Sequence, residues 1–158
     1  MEPIAFISQI HRLRGLGWSC RWHSEPGELP SSLRARYPWM PSDYLDFVCG
    51  LDECVSPDET RWILAPSDFD IREHHAWRHD EWERLSLNSA DGDSDAMAEI
   101  RSFWDGHFPI SLGVGDGYSF HALRVADRSG SVVMGREPEF EDTSDVAVSF
   151  THFLSHLT

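Results

Sequence analysis

Three closely spaced histidines are the residues of this sequence that best suit metal chemistry. His75 and His79 are four residues apart, so they would share one face of a helix, and His74 lies beside them. The Glu of a His-Glu-x-x-His motif is missing, however, and no third ligand is set by spacing. Nine histidines in 158 residues also make a chance group common. We therefore predict no metal and no cofactor, with zinc held by these three histidines as the alternative.

A glycine-rich segment, Gly113–Gly117, has the composition of a phosphate-binding loop. It lacks the Lys-Ser/Thr pair of a P-loop, and the apolar residues after it indicate a strand. Phosphate loops depend on a helix N-terminus that directly follows them. We predict a hairpin turn at this position.

The acidic segment Asp91–Asp95 begins like a calcium-binding loop. Its sixth position is Ala96, where glycine is needed for the turn, and its twelfth is Ser102, where a bidentate glutamate is needed. We predict instead a polar loop that ends by capping a helix.

The sequence contains no recognisable nucleophilic motif. Neither a Gly-x-Ser-x-Gly elbow nor a cysteine–histidine pair with a known spacing is present. Carboxylate pairs are so frequent among the 27 acidic residues that a pair carries no information. We predict that the protein is not an enzyme.

The three cysteines, Cys20, Cys49 and Cys54, are an odd number without the spacing of a zinc site. We predict free thiols in a cytoplasmic protein. The beginning of the sequence lacks the basic and apolar regions of a signal peptide. No apolar run approaches the length of about 20 residues that spans a bilayer.

The charge balance is strongly acidic. The 27 acidic residues face only 13 basic ones, all of them arginine, for a net charge of −14. Such a surface repels nucleic acid and anionic membranes and attracts a basic protein. The alternative is that the charge serves solubility alone.

One stretch concentrates this charge. Residues 40–60 hold six acidic residues and no basic one: Asp43, Asp46, Asp52, Glu53, Asp58 and Glu59. We predict that they bind a basic partner, with Asp116 of the glycine-rich turn as a further contact.

The elements that must position these residues are predicted as helices, then strands joined by tight turns, then a closing helix. The segment Phe103–Glu137 has three apolar runs separated by Gly/Asp turns, which predicts an antiparallel meander. Further strands are predicted at Trp18–His23, on a sheet edge, and at Arg61–Ala65. Leu51–Thr60 is predicted as an acidic loop. Helical spacing predicts helices at Ile4–Leu16, Leu29–Tyr37, Met40–Val48, Asp95–Trp104 and Val146–Leu157, and one or two within Ser67–Leu85.

These elements predict an α+β fold in a single domain, residues 1–158. The central sheet is expected to be largely antiparallel, or mixed, and flanked by helices.

The order of these features resembles the Smi1/Knr4 (SUKH) superfamily over nearly the whole chain. The matching features are the aromatic helix after Met40-Pro41, the strand with Trp62, the helix that ends at Trp104, the Phe108–Met134 meander and the closing segment Val146–Leu154. The resemblance implies an α+β fold and no catalytic residues. Bacterial members are mostly implied to be immunity proteins that bind and neutralise a toxin, whereas a eukaryotic branch consists of scaffolds.

We therefore expect a non-enzymatic immunity protein that binds a basic toxin. A nuclease is the preferred toxin class, because nucleases carry positive charge to bind phosphate. The alternatives are a scaffold domain of the same fold and, less favoured, a metal hydrolase that uses the His74–His79 region.

Overall fold

Across the part of the chain that the structure describes, seven strands form one antiparallel sheet in which every strand pairs with the next. The computed structural model describes residues 1–70 and 78–158. Its strands are β1 (Ser19–Trp22), β2 (Leu51–Val55), β3 (Arg61–Ile63), β4 (His107–Gly113), β5 (Ser119–Arg124), β6 (Val132–Arg136) and β7 (Ser144–Ala147). The predicted meander is confirmed as β4, β5 and β6, and β1 lies on a sheet edge as expected.

Six helices accompany this sheet in the described residues, which confirms the α+β class. They are α1 (Ile7–Gly15), α2 (Ser31–Arg36), α3 (Ser42–Val48), α4 (Glu81–Ser89), α5 (Ser94–Gly106) and α6 (Phe150–His156). Short 3-10 turns occupy Ile4–Phe6 and Pro66–Phe69. Asp93 begins α5 as predicted, since its side chain accepts a hydrogen bond from the Ala96 amide at 3.1 Å.

The predicted acidic loop Leu51–Thr60 is wrong in its first half, where β2 lies. Leu51 and Cys54 are buried there, so this segment contributes to the core. The strand tolerates two consecutive acidic residues because Arg21 of β1 reaches both, at 3.4 Å from Asp52 and 3.2 Å from Glu53. Cross-strand pairs of opposite charge stabilise a sheet.

The closing helix begins at Phe150 rather than at Val146. Residues 144–147 instead form β7, which pairs with β6 along its otherwise open edge. Val146 is 43% exposed. β-branched residues at 146 and 148 favour an extended backbone, and Ser149 then begins the helix by accepting from the His152 amide at 3.1 Å.

Helices cover both faces of the central strands. Neighbouring residues of a strand point to opposite faces, and in β5 Phe120 packs against Trp82 and Trp104 of α4 and α5, whereas His121 packs against Phe153 of α6. The α6 layer also contains α1 and α3, and Phe6, directly before α1, packs against Phe47 of α3 with ring centroids 5.4 Å apart. The sheet is therefore the middle layer of three.

Two of the three cysteines are paired, which corrects the prediction of free thiols. Cys20 of β1 lies directly opposite Cys54 of β2, and the two form a disulfide. Both are buried, whereas Cys49, at the end of α3, is free and half-buried. The pairing arises from strand register, which the sequence spacing of 34 residues does not reveal.

Thiol titration checks this pairing. Protein prepared without reductant and unfolded in guanidinium should show one reactive thiol per chain, and Cys49→Ala should show none. Three thiols per chain in the wild type would contradict the Cys20–Cys54 disulfide.

Arg36 joins α2 to α4 and α5. Its guanidinium donates two parallel hydrogen bonds to the Glu83 carboxylate of α4, at 2.9 and 3.0 Å, and a third to Asp105 of α5 at 3.0 Å. The neighbouring Tyr37 hydroxyl donates to the Trp104 carbonyl at 2.7 Å. Bidentate arginine–carboxylate pairs are among the stronger polar contacts.

Arg36→Ala should lower the free energy of unfolding by about 2 kcal/mol, because it leaves the nearly buried Glu83 carboxylate without its cation. Urea denaturation measures the change. The double variant Arg36→Ala/Glu83→Gln should recover part of the loss, since no unpaired charge remains. Arg101→Ala, at an exposed position of α5, is the control and should change stability by less than about 0.5 kcal/mol. If Arg36→Ala and Arg101→Ala had equal free energies of unfolding, this role of Arg36 would be contradicted.

Candidate protein-binding surface

The topology of the sheet brings three connections to one end. Because each strand pairs with the next, successive connections alternate between the two ends of the sheet. The β2–β3, β4–β5 and β6–β7 connections therefore lie at the same end. We call these residues, 56–60, 114–118 and 137–143, the acidic end.

Backbone hydrogen bonds join the three connections into one surface. The Val114 amide donates to the Thr60 carbonyl at 2.9 Å, and the Glu137 amide donates to the Tyr118 carbonyl at 2.9 Å. Gly117 has a φ of +84°, and a Cβ at this position would lie 2.9 Å from Oε2 of Glu137. Glycine thus permits both the turn and the close approach of the next connection.

The acidic end carries carboxylates and no basic residue. Seven of its residues are acidic: Asp58, Glu59, Asp116, Glu137, Glu139, Glu141 and Asp142. All except Glu141 are exposed. Hydrogen bonds from Ser56 and Thr60 lower the pKa of Asp58, so its charge is favoured in the folded protein. The surface is therefore strongly negative at neutral pH.

Asp43, a residue of the predicted patch, makes contacts within the protein. Its carboxylate accepts hydrogen bonds from the Thr151 amide at 3.0 Å and the Thr151 hydroxyl at 2.9 Å, in the first turn of α6. It also accepts from the Tyr44 amide at 2.9 Å. The side chain thus connects the beginnings of α3 and α6, where a carboxylate satisfies unpaired amides.

The remaining residues of the patch are divided between two places. Asp46 is exposed on α3, near the beginning of β2, and Asp52 and Glu53 face Arg21 within β2. Asp58 and Glu59 lie beyond the other end of this five-residue strand, which spans about 17 Å. The contiguous stretch in sequence is therefore not one contiguous surface.

The structure brings Asp58, Glu59 and Asp116 together at the acidic end. Glu137, Glu139 and Asp142 were not among the residues predicted from the sequence, although the meander that positions them was. The signal that could have found them is the alternation of connections, which places every second hairpin turn of a meander at the same end.

A serine–histidine pair in the sheet resembles half of a nucleophilic site. The Ser111 hydroxyl and Nδ1 of His121 share a hydrogen bond at 2.7 Å, and the His121 amide donates to Ser111 Oγ at 2.9 Å. The cavity beside them, which Trp18 and Leu157 also line, measures about 30 Å³. A space this small holds water but is far below the size of a substrate pocket. The pair instead links β4 to β5 next to the bulge at Pro109–Ser111.

Burial and the nearby Arg61 guanidinium lower the pKa of His121 from 6.5 to about 4. The unfolded chain therefore binds a proton near pH 6.5 that the folded protein does not bind until about pH 4. Stability should fall as the pH decreases through this window, by as much as about 3 kcal/mol.

Urea denaturation between pH 7 and pH 4 tests this expectation. The His121→Gln variant should show a shallower loss of stability with acid than the wild type. Ser111→Ala is the matched control, because it removes the hydroxyl but keeps burial and Arg61, which lower the pKa of His121, and it should keep most of the wild-type slope. Parallel curves for wild type and His121→Gln would contradict the assignment to His121.

Of the three histidines considered for metal, His74 and His75 lie outside the described residues. His79 packs against Phe69, with ring centroids 5.6 Å apart, and burial lowers its pKa. Across residues 1–70 and 78–158, no group of three or more His, Cys, Asp or Glu side chains is placed to hold a metal ion. In the same two ranges, no helix has the length and apolar character required to cross a bilayer.

Comparison with protein-family models and with curated proteins gave no match. Membership of the Smi1/Knr4 superfamily therefore stays a prediction that rests on the order of elements along the chain.

Proposed function

We propose that this protein is an immunity protein of the Smi1/Knr4 type, which binds and neutralises a basic toxin without catalysis. The observation that carries the proposal is the acidic end, where three adjoining connections present carboxylates and no basic side chain. Hairpin turns project beyond the sheet, so their charges are accessible to a partner.

Electrostatics gives this surface a specific advantage in binding. Complementary charge increases the rate of encounter and excludes partners of the same sign. Nucleases are basic because they bind phosphate, and an acidic protein can cover the same surface. Since the substrate of a nuclease toxin is inside the cell, we propose that the complex forms in the cytoplasm.

The first test is functional. The protein is used as bait in a lysate of its source organism, and a captured basic partner is expressed in a test strain. Co-expression of this protein should restore growth. Several large partners and no relief of toxicity would contradict the proposal and favour a scaffold.

The second test places the interface. Asp58→Arg/Asp116→Arg should reduce the association rate with that partner about tenfold at low salt, and the difference should shrink as salt screens the charges. Glu25→Arg/Glu28→Arg is the matched control, because it makes the same change in net charge at exposed sites between β1 and β2. Stopped-flow kinetics measures the association rate of each double variant with the partner. Equal association rates for the two would place the interface elsewhere.

A further inference from the structure

A groove beside the acidic end has an apolar floor. It lies between α4, α5 and the β6–β7 connection and has a volume of about 320 Å³. Leu85, Ile100 and Phe140 supply apolar surface, and Glu139, Glu141 and Asp142 stand along one side. Ser89 and Ala90 contribute small side chains at the end of α4. We call this the α4–α5 groove.

The acidic side of the groove is held in place by contacts to both helices. Trp104 Nε1 donates to one oxygen of Glu141 at 2.9 Å, and the Ser86 hydroxyl donates to the other at 3.0 Å. The adjoining Phe140 ring is buried and packs towards Phe120, with centroids 6.4 Å apart. Binding therefore requires little ordering of this segment, which favours affinity.

The outer carboxylates of the groove are exposed and uncompensated. Glu139 and Asp142 are both exposed. Within the described ranges, neither carboxylate forms an ion pair with an arginine, a histidine or the N-terminal amine. These negative charges lie next to an apolar floor. The arrangement is complementary to a peptide segment in which an apolar residue is flanked by basic residues.

We propose that the α4–α5 groove binds a segment of the partner polypeptide in which an apolar side chain is flanked by arginine or lysine. The apolar side chain inserts between Leu85 and Ile100, and the cations pair with Glu139 and Asp142. An apolar centre surrounded by a polar rim is the usual anatomy of a protein interface. This inference rests on the proposed function, since it names the part of the partner that the acidic surface receives.

Charge excludes the other occupants of such a groove. Nucleic acid and anionic lipid carry phosphate, which the acidic rim repels. A second copy of this chain has a net charge of −14 and is repelled as well.

Selection of a random peptide library on the immobilised protein tests the proposal without knowledge of the partner. Enriched peptides should contain an apolar residue between arginines or lysines. Synthetic copies of these peptides should bind Ser89→Trp, which fills the groove, and Glu139→Arg/Asp142→Arg at least about tenfold more weakly than wild type, as measured by fluorescence anisotropy. Asp58→Arg/Asp116→Arg should bind them within about threefold of wild type. Thermal unfolding of each variant verifies that the fold is retained.

Three results would overturn the inference: no enrichment, enrichment of peptides without this pattern, or full binding by Ser89→Trp. Loss of binding only in Asp58→Arg/Asp116→Arg would place the basic segment on the hairpin turns, which removes the groove from the interface but leaves the proposed function standing. Conversely, groove-dependent peptide binding together with no relief of toxicity would refute the proposed function while the groove assignment stands.

Discussion

The pairing of β4 with β5 is the interaction on which the rest of the structure depends. Phe120 faces Trp82 and Trp104, and its neighbour His121 faces Phe153, so two helical layers are attached through one strand. A slip of one residue would exchange these faces, moving Phe120 into the α6 layer and the imidazole of His121 into the layer of α4 and α5, where neither side chain has its present partners. The hydrogen bonds between Ser111 and His121 stabilise the observed register beside the bulge.

The acidic end is a consequence of this meander combined with the placement of charge along the chain. Like charges on neighbouring hairpins repel each other, and the repulsion is tolerated because the side chains are exposed to water and screened. The backbone hydrogen bonds Thr60–Val114 and Tyr118–Glu137 hold the three connections together against it. The surface therefore keeps a concentrated negative potential in a fixed geometry, which is what an electrostatically guided partner requires.

Carboxylates in this protein serve two different purposes, and burial separates them. Asp43, Glu83 and Glu141 each accept hydrogen bonds from side chains distant in sequence, and they connect helices to one another or to a loop. Asp58, Asp116 and Glu139 are exposed at the tips of connections. Substitution in the first group mainly affects folding, whereas substitution in the second leaves the core intact. Glu141 belongs to the first group but lies two residues from Glu139. Its hydrogen bonds to Ser86 of α4 and Trp104 of α5 therefore also hold the segment that carries the exposed Glu139.

The sequence by itself determined the α+β class, the central meander and most helices, because hydrophobic periodicity and turn residues are local signals. It also determined the acidic character of the surface, since charge is a property of composition. It did not determine that Cys20 meets Cys54, that residues 144–147 pair with β6, or that Asp43 is separated from Asp58. Only the tertiary structure decided these points, because they depend on register and on which connections share an end of the sheet. Those relations join residues distant in sequence, and no local pattern encodes them.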